Sequence, residues 1–243
     1  MTIAEKLIKI AENEQKVFDA GYEKGKSEGG GNDAFWNSVL QNGERTNCDN
    51  LFYGPAWTDE TFKPNRDIKP TRANYMFKES KIQKSEYLNK VDFSNCAAIV
   101  QTFYGSSVEE LGTLNFGSVV KGWNGINQTF YGCSKLRKIG LLIPPRDKEA
   151  PVNAFDGLSA LTEITFGGTI YMSISFAKSP LIKASIISAM SHLADDVSGM
   201  TATFSKTAVD TAFETEEGLA DGSTSTEWAT LIATKSNWTI SLV

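Results

Sequence analysis

The chain has 243 residues, of which 41% are hydrophobic and 22% are charged, and its formal net charge is −5 at pH 7. This composition is that of a folded protein with a sizeable core in one or two domains. The negative charge excludes the basic footprint of a nucleic-acid-binding protein. No apolar run approaches the length of about 18 residues that a membrane span needs, so membrane insertion is not expected.

The N-terminal segment predicts a helix from residue 2 to about residue 24. Its apolar stripe consists of Ile3, Leu7, Ile10 and Val17, whose spacing is that of a heptad seam. We expect residues 1–24 to form an oligomerisation or anchoring helix, with a trimeric coiled coil as the favoured assembly. The alternative is a helix that docks on its own domain or frays. Charged residues throughout this segment exclude a secretory signal peptide.

Residues 25–32 contain four glycines and are expected to form a flexible linker. The character of the chain changes at Asp33, which is placed to cap a short amphipathic helix over residues 34–40. A stretch rich in turns, prolines and aromatic residues follows and extends to about residue 72. We interpret residues 33–72 as an N-terminal cap that covers the first unit of a repeated structure.

A phenylalanine recurs through the middle of the chain at intervals of 21 to 27 residues, which is the period of stacked-repeat proteins. The series comprises Phe52, Phe77, Phe103, Phe130, Phe155 and Phe176. The copies that begin at Phe130 and Phe155 align without gaps over residues 130–141 and 155–166. One unit is too small to bury its own apolar face, so the repeat predicts an α/β solenoid over residues 73–187.

Apolar residues two positions apart indicate one short strand in each repeat, with both side chains facing inward. These pairs are Val91/Phe93, Leu114/Phe116, Ile139/Leu141, Ile164/Phe166 and, more weakly, Ala184/Ile186. The strands are expected to lie parallel in a stack. Glycines two positions after the phenylalanines, at Gly105, Gly132 and Gly157, suit the turn behind each strand.

The pattern changes again after Pro180. Residues 181–193 carry apolar side chains at helical spacing, and Ala202 and Phe204 indicate a strand. A further helix is predicted around Trp228, and residues 238–242 predict a last strand. We interpret residues 188–243 as a C-terminal cap.

The side chains between the inward-facing positions predict two polar columns on the outer face of the strands. The first column contains Lys90, Thr113, Lys138, Glu163 and Lys183, and the second contains Asp92, Asn115, Gly140, Thr165 and Ser185. Such strand-lined faces are the usual binding surfaces of repeat proteins.

Aromatic side chains offer a second candidate surface. Tyr53, Tyr104 and Tyr131 each follow a repeat phenylalanine, so they would form either a contact strip for a glycan or protein or a row of structural spacers. Trp123, within a Gly-Trp-Asn-Gly segment, is the best candidate for an exposed aromatic anchor.

Little in the sequence points to an enzyme, a cofactor or a metal. His192 is the single histidine, and no motif of a nucleophilic triad accompanies it. Glu109 and Glu110 are typical of solvated carboxylates, although a paired-carboxylate hydrolase is the alternative. Cys48, Cys96 and Cys133 form no CxxC pair, and Cys133 is expected to be a small buried residue. The acidic residues between 214 and 227 indicate a solvated loop, with a calcium site as the alternative.

The motif Phe-x-x-[Cys/Ser]-x-x-Leu-x-x-Ile-x-[Leu/Phe], carried best by residues 130–141 and 155–166, resembles the BspA-type leucine-rich repeat. The chain start, with Phe35-Trp36 and the segments 41–46 and 57–62, resembles the opening of proteins encoded by phages and prophages of gut Firmicutes. The segment 233–240 resembles the lysine-glycine-tryptophan-threonine ending of that group, with Ser-Asn in place of the glycine. The resemblance implies a virion or tail-associated protein with no catalytic residues.

We therefore expect a non-enzymatic phage protein, made in the bacterial cytoplasm and located in the virion, that displays a leucine-rich-repeat-like solenoid for binding a host-surface receptor or glycan. A trimeric N-terminal helix would add avidity to weak single contacts. One alternative is a structural part that contacts only other virion proteins. Another is a bacterial protein–protein interaction scaffold.

Overall fold

The structure of the chain is a computed structural model that describes residues 33–119, 125–146 and 153–243. The predicted N-terminal helix (1–24), the glycine-rich linker (25–32) and Trp123 lie outside the described residues. The described part is a mixed α/β fold, with short parallel strands in two small sheets and a few helices.

In chain order, the described helices and strands are α1 (Asp33–Val39), α2 (Ser85–Leu88), β1 (Glu110–Asn115), β2 (Lys138–Ile143), β3 (Glu163–Phe166), β4 (Ile174–Phe176), α3 (Lys183–Ser191), β5 (Met200–Phe204), α4 (Lys206–Ala212), α5 (Thr226–Ala233) and β6 (Trp238–Leu242). Short 3₁₀ turns occupy Gln41–Gly43 and Gly222–Thr224. One sheet has the order β1-β2-β3 and the other the order β4-β5-β6.

Every strand pair in the two described sheets is parallel. Isolated parallel bridges extend this arrangement outside the strands, joining Asn47 to Arg72, Thr58 to Lys81, Ile68 to Val91 and Ile170 to Leu193. Each bridge connects residues separated by 23 to 25 positions, close to the interval between the recurring phenylalanines. Parallel pairing therefore recurs along the described chain at a nearly constant sequence separation.

The recurring phenylalanines form one buried column. Neighbouring ring centroids lie 5.1–6.2 Å apart, in the order Phe52, Phe77, Phe103, Phe130, Phe155, Phe176 and Phe204. None of these side chains is more than 4% exposed. All six rings of the recurring series are buried, and the structure adds Phe204 as a seventh member of the column.

The backbone around each ring is a turn rather than a strand, and it repeats in detail. The residues two positions before Phe52, Phe77, Phe103, Phe130 and Phe155 all have positive φ, and so do the residues two positions after them. The predicted turn glycines at 105, 132 and 157 are among these residues. Glycine adopts this left-handed region without steric cost, which explains its recurrence after the ring.

Main-chain hydrogen bonds connect successive turns of the ring column, all in the same direction. The N–H of Phe52 donates to the carbonyl of Met76, that of Phe77 to Thr102, that of Phe103 to Thr129 and that of Phe130 to Ala154, over 2.8–3.0 Å. Because a buried peptide group without a partner is costly, these bonds allow the turns to be buried without forming a sheet.

The aromatic residues of the N-terminal part cover the first ring of the column. Phe35 and Trp36 of α1 are buried, and the Trp36 ring lies 6.0 Å from that of Phe52. Trp57 and Phe62 approach Phe52 edge-on at 4.9 Å and 4.8 Å. The predicted helix over residues 34–40 is confirmed as α1, and it contributes to an aromatic cluster in which edge-to-face contacts add to simple burial.

At the other end, Trp228 covers the last ring of the column and lies edge-on to Phe204 at 6.2 Å. The predicted strands at 202–204 and 238–242 and the predicted helix around Trp228 are confirmed as β5, β6 and α5.

Three strand predictions are wrong in detail. Val91 makes only an isolated bridge to Ile68, so no strand forms at Val91/Phe93. In β2 the buried partner of Ile139 is Leu142 instead of Leu141, because the pairing register shifts between Ile139 and Leu142. Such a bulge moves the following side chain to the opposite face.

The third error is the weak strand predicted at Ala184/Ile186, which lies within helix α3. The helical spacing predicted for residues 181–193 is confirmed by this helix. The helix has a definite role at the edge of the first sheet. The hydroxyl of Ser185 accepts a hydrogen bond from the Ile164 N–H, and the hydroxyl of Ser188 accepts one from the Phe166 N–H, each at 2.9 Å. These two serines take the place of a fourth strand beside β3, and so the sheet ends there.

Replacing one ring tests the importance of the column. Phe130 is fully buried between Phe103 and Phe155, so Phe130→Ala removes contacts on both sides and leaves a cavity. We expect a loss of about 3–5 kcal/mol in the free energy of unfolding, measured by urea titration.

The matched control is Tyr53→Ala, because Tyr53 directly follows a column phenylalanine but is 47% exposed. Its cost should stay within about 1 kcal/mol. Similar losses in the free energy of unfolding for the two variants would contradict a stabilising role of the buried rings.

Candidate binding surfaces

The outer face of the first sheet carries paired charges. The strand register aligns Glu110 with Lys138 and Lys138 with Glu163. The Lys138 ammonium lies 2.8 Å from the Glu163 carboxylate, and this hydrogen bond raises the pKa of Lys138. Exposed ion pairs of this kind contribute little to stability, so the charges remain available to a partner that can compete for them.

Arg137 adds a second charged group at the start of β2. Its guanidinium lies 3.1 Å from the carboxylate of Glu110 and 3.6 Å from that of Glu109. The two adjacent glutamates thus face a cation, which differs from an arrangement in which two carboxylates flank a substrate.

The predicted columns on this face are partly wrong. The pairing places Thr113 beside Leu141 and Asn115 beside Ile143, whereas the prediction aligned them with Lys138 and Gly140. Glu110 occupies the position next to Lys138, because β1 begins earlier than the Leu114/Phe116 pair implied. Thr165 lies on the exposed side of β3, as predicted.

Three other residues predicted for this surface hydrogen-bond within the chain. The Lys90 ammonium donates to the carbonyl of Pro64 at 2.7 Å. Asp92 accepts from the Ser94 N–H at 2.9 Å, and hydrogen bonds with Ser94 lower the pKa of the Asp92 carboxyl. Asn115 accepts from the Gly117 N–H at 3.0 Å. The Asp92 and Asn115 contacts stabilise turns, whereas the Lys90 contact joins segments 26 residues apart. None of them brings these side chains into one column with Lys138 and Glu163.

The last members of the predicted columns belong to α3. Lys183 is the first residue of that helix, where its ammonium lies 2.7 Å from the Glu227 carboxylate. Ser185 is buried against β3. Neither residue extends the face of the first sheet.

A second surface lies beside the buried ring column and is called the turn face. It consists of the outward side chains next to the column phenylalanines: Tyr53, Lys78, Tyr104 and Tyr131, with Gln101 and Gln128 alongside. The rings of Tyr104 and Tyr131 stack at 5.2 Å with an interplanar angle of 16°. Both side chains are half-buried, so each ring keeps an accessible part.

Lys78 interrupts the predicted tyrosine ladder. Its ammonium lies 4.7 Å from the centroid of the Tyr104 ring, a cation–π contact, and donates a hydrogen bond to the Gln101 side chain at 2.8 Å. The Gln101 amide in turn donates to Gln128 at 2.6 Å. Lys78 follows Phe77 as Tyr104 follows Phe103, so the repeat itself contained the signal for this position.

Tyr53 stands apart from the stacked pair. Its hydroxyl donates to the Glu79 carboxylate at 3.3 Å, and the charge of Glu79 raises the pKa of Tyr53. The turn face therefore combines two stacked tyrosine rings with the neighbouring ammonium group of Lys78.

The acidic segment near the C-terminus uses its carboxylates locally. Asp221 accepts hydrogen bonds from the N–H and hydroxyl of Thr215, which lower the pKa of Asp221. Glu227 pairs with Lys183. Within residues 33–119, 125–146 and 153–243, no cluster of three or more histidine, cysteine or carboxylate side chains could hold a metal ion.

The nucleophilic side chains are held in the core or at a helix end. His192 follows α3, where its Nδ1 lies 2.8 Å from the Ser188 carbonyl. Cys48, Cys96 and Cys133 are buried and unpaired, as predicted for Cys133. Burial raises the pKa of Cys48 to about 12 and the pKa values of Cys96 and Cys133 to about 11.

No protein-family model matches the chain, and neither the curated proteins nor the solved structures include a significant match. None of the helices in the described ranges has the length and apolar character needed to cross a membrane.

The buried thiols predict slow alkylation of the folded chain. A thiolate is the reactive form, and both the raised pKa values and the lack of exposure suppress it. At pH 8, iodoacetamide should label the native protein at least about a hundredfold more slowly than the urea-unfolded protein, as counted by mass spectrometry. Rapid labelling of any of the three cysteines in the native state would contradict their placement in the core.

Proposed function

We propose that this chain is a non-enzymatic, tail- or virion-associated phage protein that displays a leucine-rich-repeat-like solenoid and binds a host-surface receptor or glycan. The observation that carries this proposal is the turn face, where the stacked Tyr104 and Tyr131 rings lie beside the Lys78 ammonium. Partly exposed tyrosines in a row are a common feature of protein and glycan recognition surfaces.

The solenoid part of the proposal rests on three repeating features. Parallel pairing recurs with nearly constant sequence separation, the rings form one column, and the main-chain bonds between turns share one direction. When successive units stack on one another, the residues at the same position of each unit lie in one row on the surface. The resemblance of residues 130–141 and 155–166 to the BspA-type repeat supports the same interpretation.

The geometry of the turn face favours binding over a purely structural role for its side chains. Lys78 and Gln101 are linked to each other, and Gln101 is linked to Gln128, so these side chains are ordered before a partner arrives. Ordering in advance reduces the entropy that a side chain loses on binding. The Tyr104 and Tyr131 rings are likewise held in place by their mutual stacking.

The phage assignment follows from the resemblance of the two ends of the chain to proteins of gut Firmicutes phages. In this proposal, the N-terminal helix assembles the protein as a trimer or anchors it to other virion proteins. Several linked copies would convert weak single contacts into firm attachment, because the first contact raises the local concentration of the next.

The binding proposal is tested with the fluorescently labelled full chain on a panel of gut Firmicutes cells. We expect the protein to bind some strains, and the double substitution of Tyr104→Ala with Tyr131→Ala to weaken that binding by about tenfold or more.

The matched control is Glu216→Ala with Glu217→Ala, which changes two exposed side chains far along the sequence from the turn face. Binding to no strain at all would favour the alternative in which the chain contacts only virion proteins. Undiminished binding by the tyrosine variant would exclude the turn face as the contact surface.

The assembly proposal has a separate test in the full chain. Ile10→Asp places a charge in the predicted heptad seam, which a coiled coil cannot bury. Light scattering should report a trimer for the original chain and a monomer for the variant. An equal mass for the two proteins would overturn the assembly role of this seam.

A further inference from the structure

The second sheet exposes a small array of hydroxyl groups. The array consists of Ser173, just before β4, Ser175 within β4, Thr201 and Thr203 from β5, and Thr239 and Ser241 from β6. The register pairs Ser175 with Thr203 and Thr203 with Ser241. The residues between them, such as Phe176 and Phe204, are buried, so the hydroxyl-bearing side chains occupy the opposite, outer face.

A cavity of about 290 Å³ lies where this face meets the last turn of the ring column. Its polar lining consists of Asn153, Asp156, Ser173, Ser175, Thr201 and Thr203. The cavity therefore combines an amide and a carboxylate on one wall with hydroxyl groups on the other. Among the residues that the structure describes, no lysine, arginine or histidine lines it.

The cavity forms where the backbone changes from left-handed turns to an extended strand. Up to Phe130, each ring residue donates its N–H to the next turn. The next segment after Phe155 is the extended strand β4, whose pairing partner is β5. Asn153 and Gly157 retain the left-handed backbone of a turn, with φ values of +60° and +82°. A turn and an extended strand do not pair in the same way, so the main-chain hydrogen bonds between consecutive ring turns stop here.

This change leaves a main-chain donor at the cavity. The N–H of Phe155 has no acceptor among the residues that the structure describes. Phe155 is only 4% exposed and also lines the cavity. The N–H groups of the preceding column phenylalanines all point toward the next unit, so the Phe155 N–H points toward β4. A nearly buried donor of this kind is stabilised by any ligand oxygen that reaches it.

The chemistry of the lining selects one class of ligand. Hydroxyl and main-chain donors suit oxygen atoms, while Asp156 and the Asn153 amide oxygen accept from hydroxyl groups. The carboxylate disfavours a phosphate or sulfate, and an apolar ligand would leave these groups unpaired. A neutral sugar offers donors and acceptors on every edge, and one sugar ring suits a cavity of this volume.

We infer that this cavity binds one residue of a neutral glycan. The inference deepens the proposed host-surface function, because it supplies a ligand class, and it adds a site that lies apart from the turn face. Ser175 and Thr203, which are paired in register across β4 and β5, would contact the sugar from one side and Asp156 from the other.

The test uses the labelled full chain on a printed array of neutral and sialylated oligosaccharides. The protein should bind neutral glycans, and Thr203→Val or Asp156→Asn should each weaken that binding by about tenfold, because a hydroxyl or charge is removed while the shape is kept. The control is Thr230→Val on the exposed surface of α5, which should bind like the original chain. Thermal unfolding of each variant establishes that the fold is retained.

The outcomes separate this inference from the proposed function. Binding to cells without binding to any neutral glycan would overturn the sugar site and leave the host-surface proposal in place. Glycan binding that survives both cavity substitutions would also overturn it. Competition by inorganic phosphate would assign the cavity to anions instead. Loss of cell binding in the Tyr104/Tyr131 variant with glycan binding intact would support two independent contacts.

Discussion

The contact of one phenylalanine ring with the next is the interaction on which the described fold depends. Each ring is buried by the rings beside it, so no ring would be buried without its neighbours. Removing one ring would expose the two beside it. Burial of a phenylalanine side chain stabilises a fold by about 1.5–3 kcal/mol. Because the rings recur with the chain, their stacking also brings each unit into line with the one before it.

The backbone permits this ring contact in two ways, one on each side of the core. Near the rings it forms turns with left-handed residues at both flanks, and it bonds to the next unit through its N–H groups. On the strand side it forms the parallel pairs of the first sheet. Gly157 illustrates how closely the turns approach, since a Cβ there would lie only 3.1 Å from the nitrogen of Gly132.

Because the core fixes the orientation of each unit, the outward side chains become neighbours across large sequence distances. The Lys138–Glu163 pair and the Tyr104–Tyr131 stack both join residues from consecutive units. The two surfaces differ. On the outer face of the first sheet, opposite charges pair with one another, whereas the turn face combines a lysine ammonium with stacked aromatic rings. This contrast is the reason that the proposed binding role is assigned to the turn face.

The end of the first sheet shows how the fold changes its pattern. The Ser185 and Ser188 hydroxyls of α3 occupy the N–H groups along β3, and the second sheet then begins at β4. The transition leaves an opening beside Phe155 that a uniform repeat would have filled. This departure from regularity creates the cavity that the proposed glycan would occupy.

The sequence alone determined the series of recurring rings and the interval at which they return. The six rings, the turn glycines, α1, β3, β5 and β6 could be predicted from it, because periodic burial and glycine turns are local properties. Tertiary structure decided the register, the bulge at Leu142 and the position of Lys78 over Tyr104. These features depend on which unit lies alongside which, and that relation is set by packing between residues more than 20 positions apart.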